Sequence, residues 1–178
     1  MKTVLITGIN GFIGKHIIKS LKSTSCVFIN NDQINKINFC DWGLVRNLDK
    51  ADVILHLASK NFIPESFKKP RQFYDNNIKS TLNILEKAKR DNAKVIFFST
   101  YVYGDPNYNP IDENHVIDAM NPYSQSKIIC EQLCRSYVRD FGVSVTIFRP
   151  FNIYGYGQNL NYFIPKIINQ LNNELIKM

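Results

Sequence analysis

At 178 residues the chain is long enough for one domain with a substantial core and too short for two large ones. It is 44% apolar and 21% charged, as ordinary globular proteins are, and no run approaches the roughly 20 uninterrupted apolar residues of a membrane span. The formal charge of +7 raises nucleic acid as a partner, but the lysines are dispersed and cluster only around 68–71 and 87–90, as on solvated helix faces, so no nucleic-acid partner is expected.

Val4-Leu5-Ile6 reads as a strand, and Thr7-Gly8-Ile9-Asn10-Gly11-Phe12-Ile13-Gly14 follows it with glycines every three residues. A glycine at 8 lets the chain turn sharply, one at 11 lets a pyrophosphate approach bare backbone, and one at 14 lets the next helix pack against the sheet. Ile13, Ile17, Ile18 and Leu21 continue at helical spacing, so the unpaired N–H groups of a helix start face an anion. This context points to a dinucleotide rather than a plain surface turn.

Residues 26–29 read as a second strand ending in Asn30-Asn31-Asp32. Asp32 stands where an acidic side chain binds the ribose hydroxyls of NAD and repels the 2′-phosphate of NADP; the other reading is a turn aspartate. Too few residues follow for a full parallel crossover, which places this strand at or near a sheet edge, with 35–40 irregular or 37–40 a short strand. A short helix from Asp41-Trp42 is expected to turn Leu44, Val45 and Leu48 inward.

Residues 53–59 form an apolar strand whose small carboxyl-end residues leave room for a ligand, with His56 read as a packing residue. Ser66 and Pro70 are placed in a loop, and a helix opening at Asn77 buries Ile78, Leu82, Leu85 and Ala88. A strand over 95–98 runs into Ser99-Thr100-Tyr101-Val102-Tyr103-Gly104. Asn121-Pro122 caps a helix over 123–141 with Cys130, Cys134, Tyr137 and Phe141 on one stripe. A strand over 143–148 precedes Arg149-Pro150-Phe151-Asn152, and an amphipathic segment over 163–175 carries Ile164, Ile167, Ile168 and Leu171.

Strands alternating with helices predict an α/β fold, a Rossmann-like doubly wound parallel sheet with helices on both faces and the ligand outside the carboxyl ends of the strands. Four cysteines without CxxC spacing and three scattered histidines predict reduced thiols and no metal site. With no signal-peptide pattern at the N-terminus, the expected compartment is the cytoplasm.

Tyr123 and Lys127 lie four residues apart, on one helix face. A free phenol, with a pKa near 10, is a poor base at neutral pH, and a nearby cation lowers that value. With a hydroxyl to hold the substrate oxygen, for which Ser99 is the candidate, the trio suits taking a proton from an alcohol while its carbon gives a hydride to NAD. Taken alone, the Tyr-x-x-x-Lys pair also reads as a solvated helix pair.

Together the motifs resemble the extended short-chain dehydrogenase/reductases of the sugar-nucleotide epimerase/dehydratase type. The likeness rests on TGINGFIG at 7–14, LHLAS at 55–59, Ser66 with Pro70 ahead of DNNIKSTLNILEKA at 75–88, STYVYGD at 99–105, NPYSQSK at 121–127 and RPFNIYG at 149–155, and covers essentially the whole chain. Residues 65–77 look like those of UDP-glucose 4-epimerases and their neighbours. The resemblance implies Ser99, Tyr123 and Lys127 as catalytic residues. It implies Gly8, Gly11, Phe12, Ile13, Gly14, Asp32, Asp41, Leu57, Ala58, Ser59 and Asn77, with Tyr123 and Lys127, as NAD contacts, and Asn152 as a substrate contact.

The resemblance also implies a nucleotide-sugar substrate, NAD rather than NADP, oxidoreduction at a sugar carbon, and a homodimer through helices around 74–90 and 123–141. Family 4,6-dehydratases carry Asp-Glu directly after the catalytic hydroxyl residue, where this chain has Thr100 and Tyr101, so epimerisation or ketone reduction is favoured over dehydration. Ser80 replaces a glycine of the family pattern. Full-length relatives continue into a smaller substrate domain. Residues 1–178 are therefore read as the NAD-binding domain with the catalytic motif, and 156–178 as the start of a truncated substrate region. The alternative function is a catalytically silent NAD-binding fragment or regulatory module.

Overall fold

The computed structural model describes residues 1–21, 26–29 and 37–171. The elements are β1 (Lys2–Thr7), α1 (Phe12–Leu21), β2 (Cys26–Phe28), α2 (Trp42–Val45), β3 (Val53–His56), α3 (Ile63–Lys68), α4 (Pro70–Asp91), β4 (Lys94–Phe98), α5 (Pro122–Phe141), β5 (Val145–Phe148) and α6 (Phe163–Gln170). The strands pair in parallel in the order β2-β1-β3-β4-β5. The chain winds from β1 out to the edge strand β2, then reverses to β3, β4 and β5. Right-handed crossovers then put α1 on one face and α4 and α5 on the other. The reversal falls between β1 and β3, and a crevice opens there outside the carboxyl ends of the strands.

Val4 to Thr7 of β1 are all buried, as in a strand covered on both faces. Ile54, Val95 and Phe97 from the sheet meet Ile84, Leu85 and Ala88 of α4 and Cys130 and Cys134 of α5 in the core. All four cysteines are free. Among the described residues, no helix is long and apolar enough to cross a membrane.

Several expectations change. α4 opens at Pro70, not Asn77, because proline at a first helical position has the right φ and lacks only an N–H that no intrahelical acceptor would use. That register buries Phe73, Asn77, Thr81, Ile84, Leu85 and Ala88 and leaves Leu82 exposed. Ser66 lies within α3, its hydroxyl donating to the Ile63 carbonyl at 2.7 Å. Leu44 faces outward while Val45 and Leu48 are buried, and Phe141 at the last turn of α5 is exposed. Residues 37–40 form no strand. Phe163, Ile164, Ile168 and Leu171 are exposed, so the apolar face of α6 is not packed on the core. Residues 172–175 of that predicted segment, and Asp32, lie outside the described residues.

A polar relay joins β1, β3 and α4. Thr7 Oγ1 accepts from the N–H groups of Leu57 and Ala58 at 3.1 and 3.0 Å, which leaves its own proton for His56 Nδ1 at 2.9 Å. His56 Nδ1 is thus the acceptor, and Nε2–H donates to Thr81 Oγ1 at 3.1 Å. Burial, reinforced by the charge of Lys127, pushes the His56 pKa from 6.5 down to about 3, so the ring stays neutral as this tautomer requires. His56 is the packing residue the sequence predicts.

The sign of the linkage follows. Below pH 6.5 the unfolded chain protonates His56 and the folded chain does not until about pH 3. Stability is therefore lost as pH falls across that window, by up to about 1.4 kcal/mol per unit, with no such loss above it. Urea unfolding across the window should show that His56→Gln flattens this acid limb; an unchanged slope would contradict the assignment.

Candidate active site

At the end of β1, Gly8 adopts φ 71° beneath the backbone of β3's carboxyl end, where an added Cβ would lie 2.9 Å from Ala58 N. A Cβ at Gly14 would meet the Gly8 carbonyl oxygen at 2.4 Å, so the start of α1 rests on the turn itself. The Gly11 N–H closes the turn onto Gly8 O at 3.0 Å. α1 has no acidic residue in its first turn, and the N–H groups of Phe12, Ile13 and Gly14 have no intrahelical acceptor. Bare backbone and a helix start thus meet Leu57 and Ala58, with Ser59 next in the chain, across the β1–β3 crevice, a cradle suited to a dinucleotide pyrophosphate.

The three residues with the strongest chemistry converge where β4 ends and α5 begins. Ser99 follows β4 directly, is 4% exposed, and its Oγ has no hydrogen-bond partner among the described residues. A buried hydroxyl without a partner is costly, and one at a strand's carboxyl end is placed to serve a ligand oxygen. Tyr123 and Lys127, 9% and 2% exposed, stand on the first turns of α5. Asn121 fixes that helix start: its side chain accepts from Ser124 N at 2.8 Å, and Ser124 Oγ accepts from Asn121 N at 3.3 Å, a capping box ahead of Pro122.

Electrostatically the pair differs from the sequence expectation. Burial holds the Tyr123 phenol above its ordinary value; a hydrogen bond with Thr100 opposes this, and the phenol of Tyr162 adds to it. Burial also lowers Lys127 to about 8, with Cys130, Cys134 and Glu131 acting the other way. Lys127 Nζ lies 4.3 Å from the Phe97 ring centroid. The phenol therefore moves in the direction opposite to the one their spacing alone predicts, with burial as the largest cause.

Asn77, from mid-α4, is committed to the protein. It accepts from Lys60 N at 2.8 Å and donates to Lys60 O at 3.0 Å and to Ser126 Oγ at 2.9 Å, tying the segment after β3 to α5. Asp41 caps α2 through Gly43 N at 2.8 Å and Leu44 N at 3.4 Å. Asn152 is exposed beyond β5. The sequence reading gave no role to the pair that anchors its segment: Arg149 grips Glu131 with bonds of 2.9 and 2.6 Å and donates to Tyr103 Oη at 2.9 Å, joining the chain after β5 to α5 one turn past Lys127. It also gave none to Thr7, for which the only local signal is its place directly before Gly8.

A glycine turn on the first strand of a doubly wound parallel sheet, with Ser, Tyr and Lys gathered at the next strand ends, defines a Rossmann-like dinucleotide-binding domain. The chain belongs to the NAD dependent epimerase/dehydratase family, whose model matches residues 4–178. It is 34% identical to a putative UDP-glucose 4-epimerase of Methanocaldococcus jannaschii, across 93% of this chain and 63% of that protein. Among solved structures it resembles RMD from Pseudomonas aeruginosa complexed with NADPH (TM-score 0.88, 28% identity, 96% of this chain and 61% of that one). It also resembles DesIV, a dTDP-glucose 4,6-dehydratase of Streptomyces venezuelae with NAD and TYD bound (TM-score 0.83, 25% identity, 95% and 62%). The chain thus spans less than two thirds of the length of each of these relatives.

Proposed function

We propose that this chain is the NAD-binding, catalytic part of a nucleotide-sugar epimerase or reductase that exchanges a hydride at a sugar carbon, C4 in the epimerase reading. The observation that carries it is the unpartnered, buried Ser99 Oγ at the end of β4, where Phe97, shortly before it, and Thr100, directly after it, meet the buried Lys127 and Tyr123 of α5. Bound NAD would supply the hydride acceptor and donor, held by the Gly8–Gly14 turn and the segment 57–59. Ser99 donates a hydrogen bond to the reacting sugar oxygen and orients it. Tyr123 gives its proton to that oxygen when a ketone is reduced, and takes the proton back when the alcohol is oxidised. Burial holds the phenol above its ordinary value, so Tyr123 enters reduction as the proton donor; for oxidation it must first lose that proton to solvent, a loss that the largely cationic Lys127 favours.

Thr100 and Tyr101 support epimerisation or reduction over dehydration. Neither is a carboxylate, and the Tyr101 hydroxyl is bound to the Gly104 carbonyl. NAD is preferred to NADP because Asp32 in the sequence would meet the 2′-phosphate. Four free cysteines suit a reducing cytoplasm.

Thermal unfolding with each ligand tests this reading. At about 100 times its Kd, NAD should stabilise the chain by roughly 2.7 kcal/mol, NADP by less, and UDP-glucose should raise the midpoint further. A response to NAD with none to any nucleotide sugar would instead favour a silent cofactor-binding module. No response to either dinucleotide would sink both readings.

A further inference from the structure

Lys127 is a buried cation that forms no ion pair with any of the described residues, its Nζ resting against the Phe97 ring. Yet a buried carboxylate stands one turn away. Glu131 follows Lys127 by four residues on α5, each of them 2% exposed, and residues at that spacing share a helix face with Cβ atoms about 5–6 Å apart. Two buried opposite charges so placed attract strongly, because little water screens them.

The missing pair has a visible cause. Arg149, entering from the end of β5, takes both oxygens of Glu131, at 2.9 Å to Oε1 and 2.6 Å to Oε2. A planar guanidinium holds a carboxylate at two points where an ammonium holds it at one, so Arg149 outcompetes Lys127. Arg149 is itself fixed, with Nη1 donating to Tyr103 Oη at 2.9 Å and Cζ 5.1 Å from that ring's centroid. Arg135, a mostly exposed residue of α5, reaches Glu131 Oε2 at 3.7 Å. As a stability device alone a buried ion pair is a poor choice, since apolar groups of the same size often serve as well.

We propose that Arg149 is a positioning residue for the reaction: by occupying Glu131 it keeps that carboxylate off Lys127, whose charge is then left to act on Tyr123. This rests on the oxidoreduction reading above. Paired with Glu131, Lys127 would belong to a neutral unit, and the Tyr123 phenolate that oxidation requires would lose its cation. The other titratable groups that bear on Lys127 carry no charge at neutral pH: burial keeps Cys130 and Cys134 of α5 as thiols and His56 of β3 as the neutral ring.

The test is a pH titration of the lysine Cε resonances of the folded chain, with Lys127→Arg to assign the signal, beside the pH profile of NADH formation from UDP-glucose. In the wild-type chain Lys127 should titrate at about 8. Arg149→Met frees Glu131 to pair with Lys127, which should then titrate about one pH unit higher, and the limb of the oxidation rate that rises with pH should move up with it. Adding Glu131→Gln to Arg149→Met should reverse both shifts, because the competing charge is gone although the anchor stays broken. Arg149→Gln, which keeps a donor for Glu131, covers failure of Arg149→Met to fold and should shift both readings in the same direction. A purely structural anchor would leave the Lys127 titration at its wild-type position in the folded variants and impair the double variant at least as much as the single one. That outcome overturns the proposal, as does a shift at Lys127 with none in the oxidation limb. A wild-type chain that forms no NADH is the separate result that removes the functional reading; the lysine titration still decides whether Arg149 holds Glu131 off Lys127.

Discussion

Replacing Tyr123 by Phe should slow hydride exchange with a nucleotide sugar by about 10²–10⁴-fold, the range that a positioned general acid or base contributes. The substitution deletes one oxygen from a residue that is 9% exposed, and the α5 cap through Asn121 and Ser124 does not depend on it. Folding and NAD binding should therefore survive, so the loss should appear in the rate of NADH formation rather than in cofactor affinity. Ser99 would still hold the sugar oxygen, but no phenol would take or return its proton. Undiminished turnover in this variant would remove Tyr123 from the chemistry.

Lys87→Met should cost about 3–5 kcal/mol, the usual result of stripping one partner from a buried ion pair. The Lys87 and Asp91 side chains are 0% and 3% exposed, with Nζ 2.6 Å from Oδ2. Lys87 also donates to the carbonyls of Leu48 and Asp49 at 3.2 and 2.8 Å, while Asp91 accepts from Ala51 N at 3.1 Å. The pair thus fastens the turn before β3 to α4. Burial pulls the ammonium down and pushes the carboxyl up, but the bonds from Lys87, Ala51 and Arg90 hold the Asp91 carboxyl below its ordinary value, so the ion pair stands. In a chain of this size the loss corresponds to a fall in Tm of about 6–20 °C. Lys87→Met combined with Asp91→Asn should recover part of it, because a neutral amide can still accept from Ala51. A Tm within a degree of wild type for the single variant would show that the pair carries no stability.

What could be read from the sequence were features whose physics is local. The Gly8 turn needs φ 71° and close backbone approach, and the Asn121 cap with Tyr123 and Lys127 occupies two turns of one helix, so short spacing sufficed. The edge position of β2 followed from chain length between motifs. Periodicity could find helices but not their outward faces: Leu44, Leu82 and Phe141 are apolar yet exposed. Pro70 resembled a breaker because its role as a first helical residue depends on what packs after it. The Tyr162–Asn61 contact spans 101 positions and the Arg149–Glu131 pair 18; no local pattern announces either, since only the folded sheet brings them together. The phenol's environment was illegible for a related reason: spacing reports the neighbouring charge, whereas burial, which dominates, is a property of the whole fold.

The most direct test of the account is absorbance of the purified, NAD-loaded chain after rapid mixing with UDP-glucose, with Tyr123→Phe as the control. The account predicts a sugar-dependent rise in NADH absorbance in the wild-type chain and its near absence in the variant. NADH formation that is equal in both, or a wild-type chain that binds NAD and UDP-glucose yet never forms NADH, would contradict it.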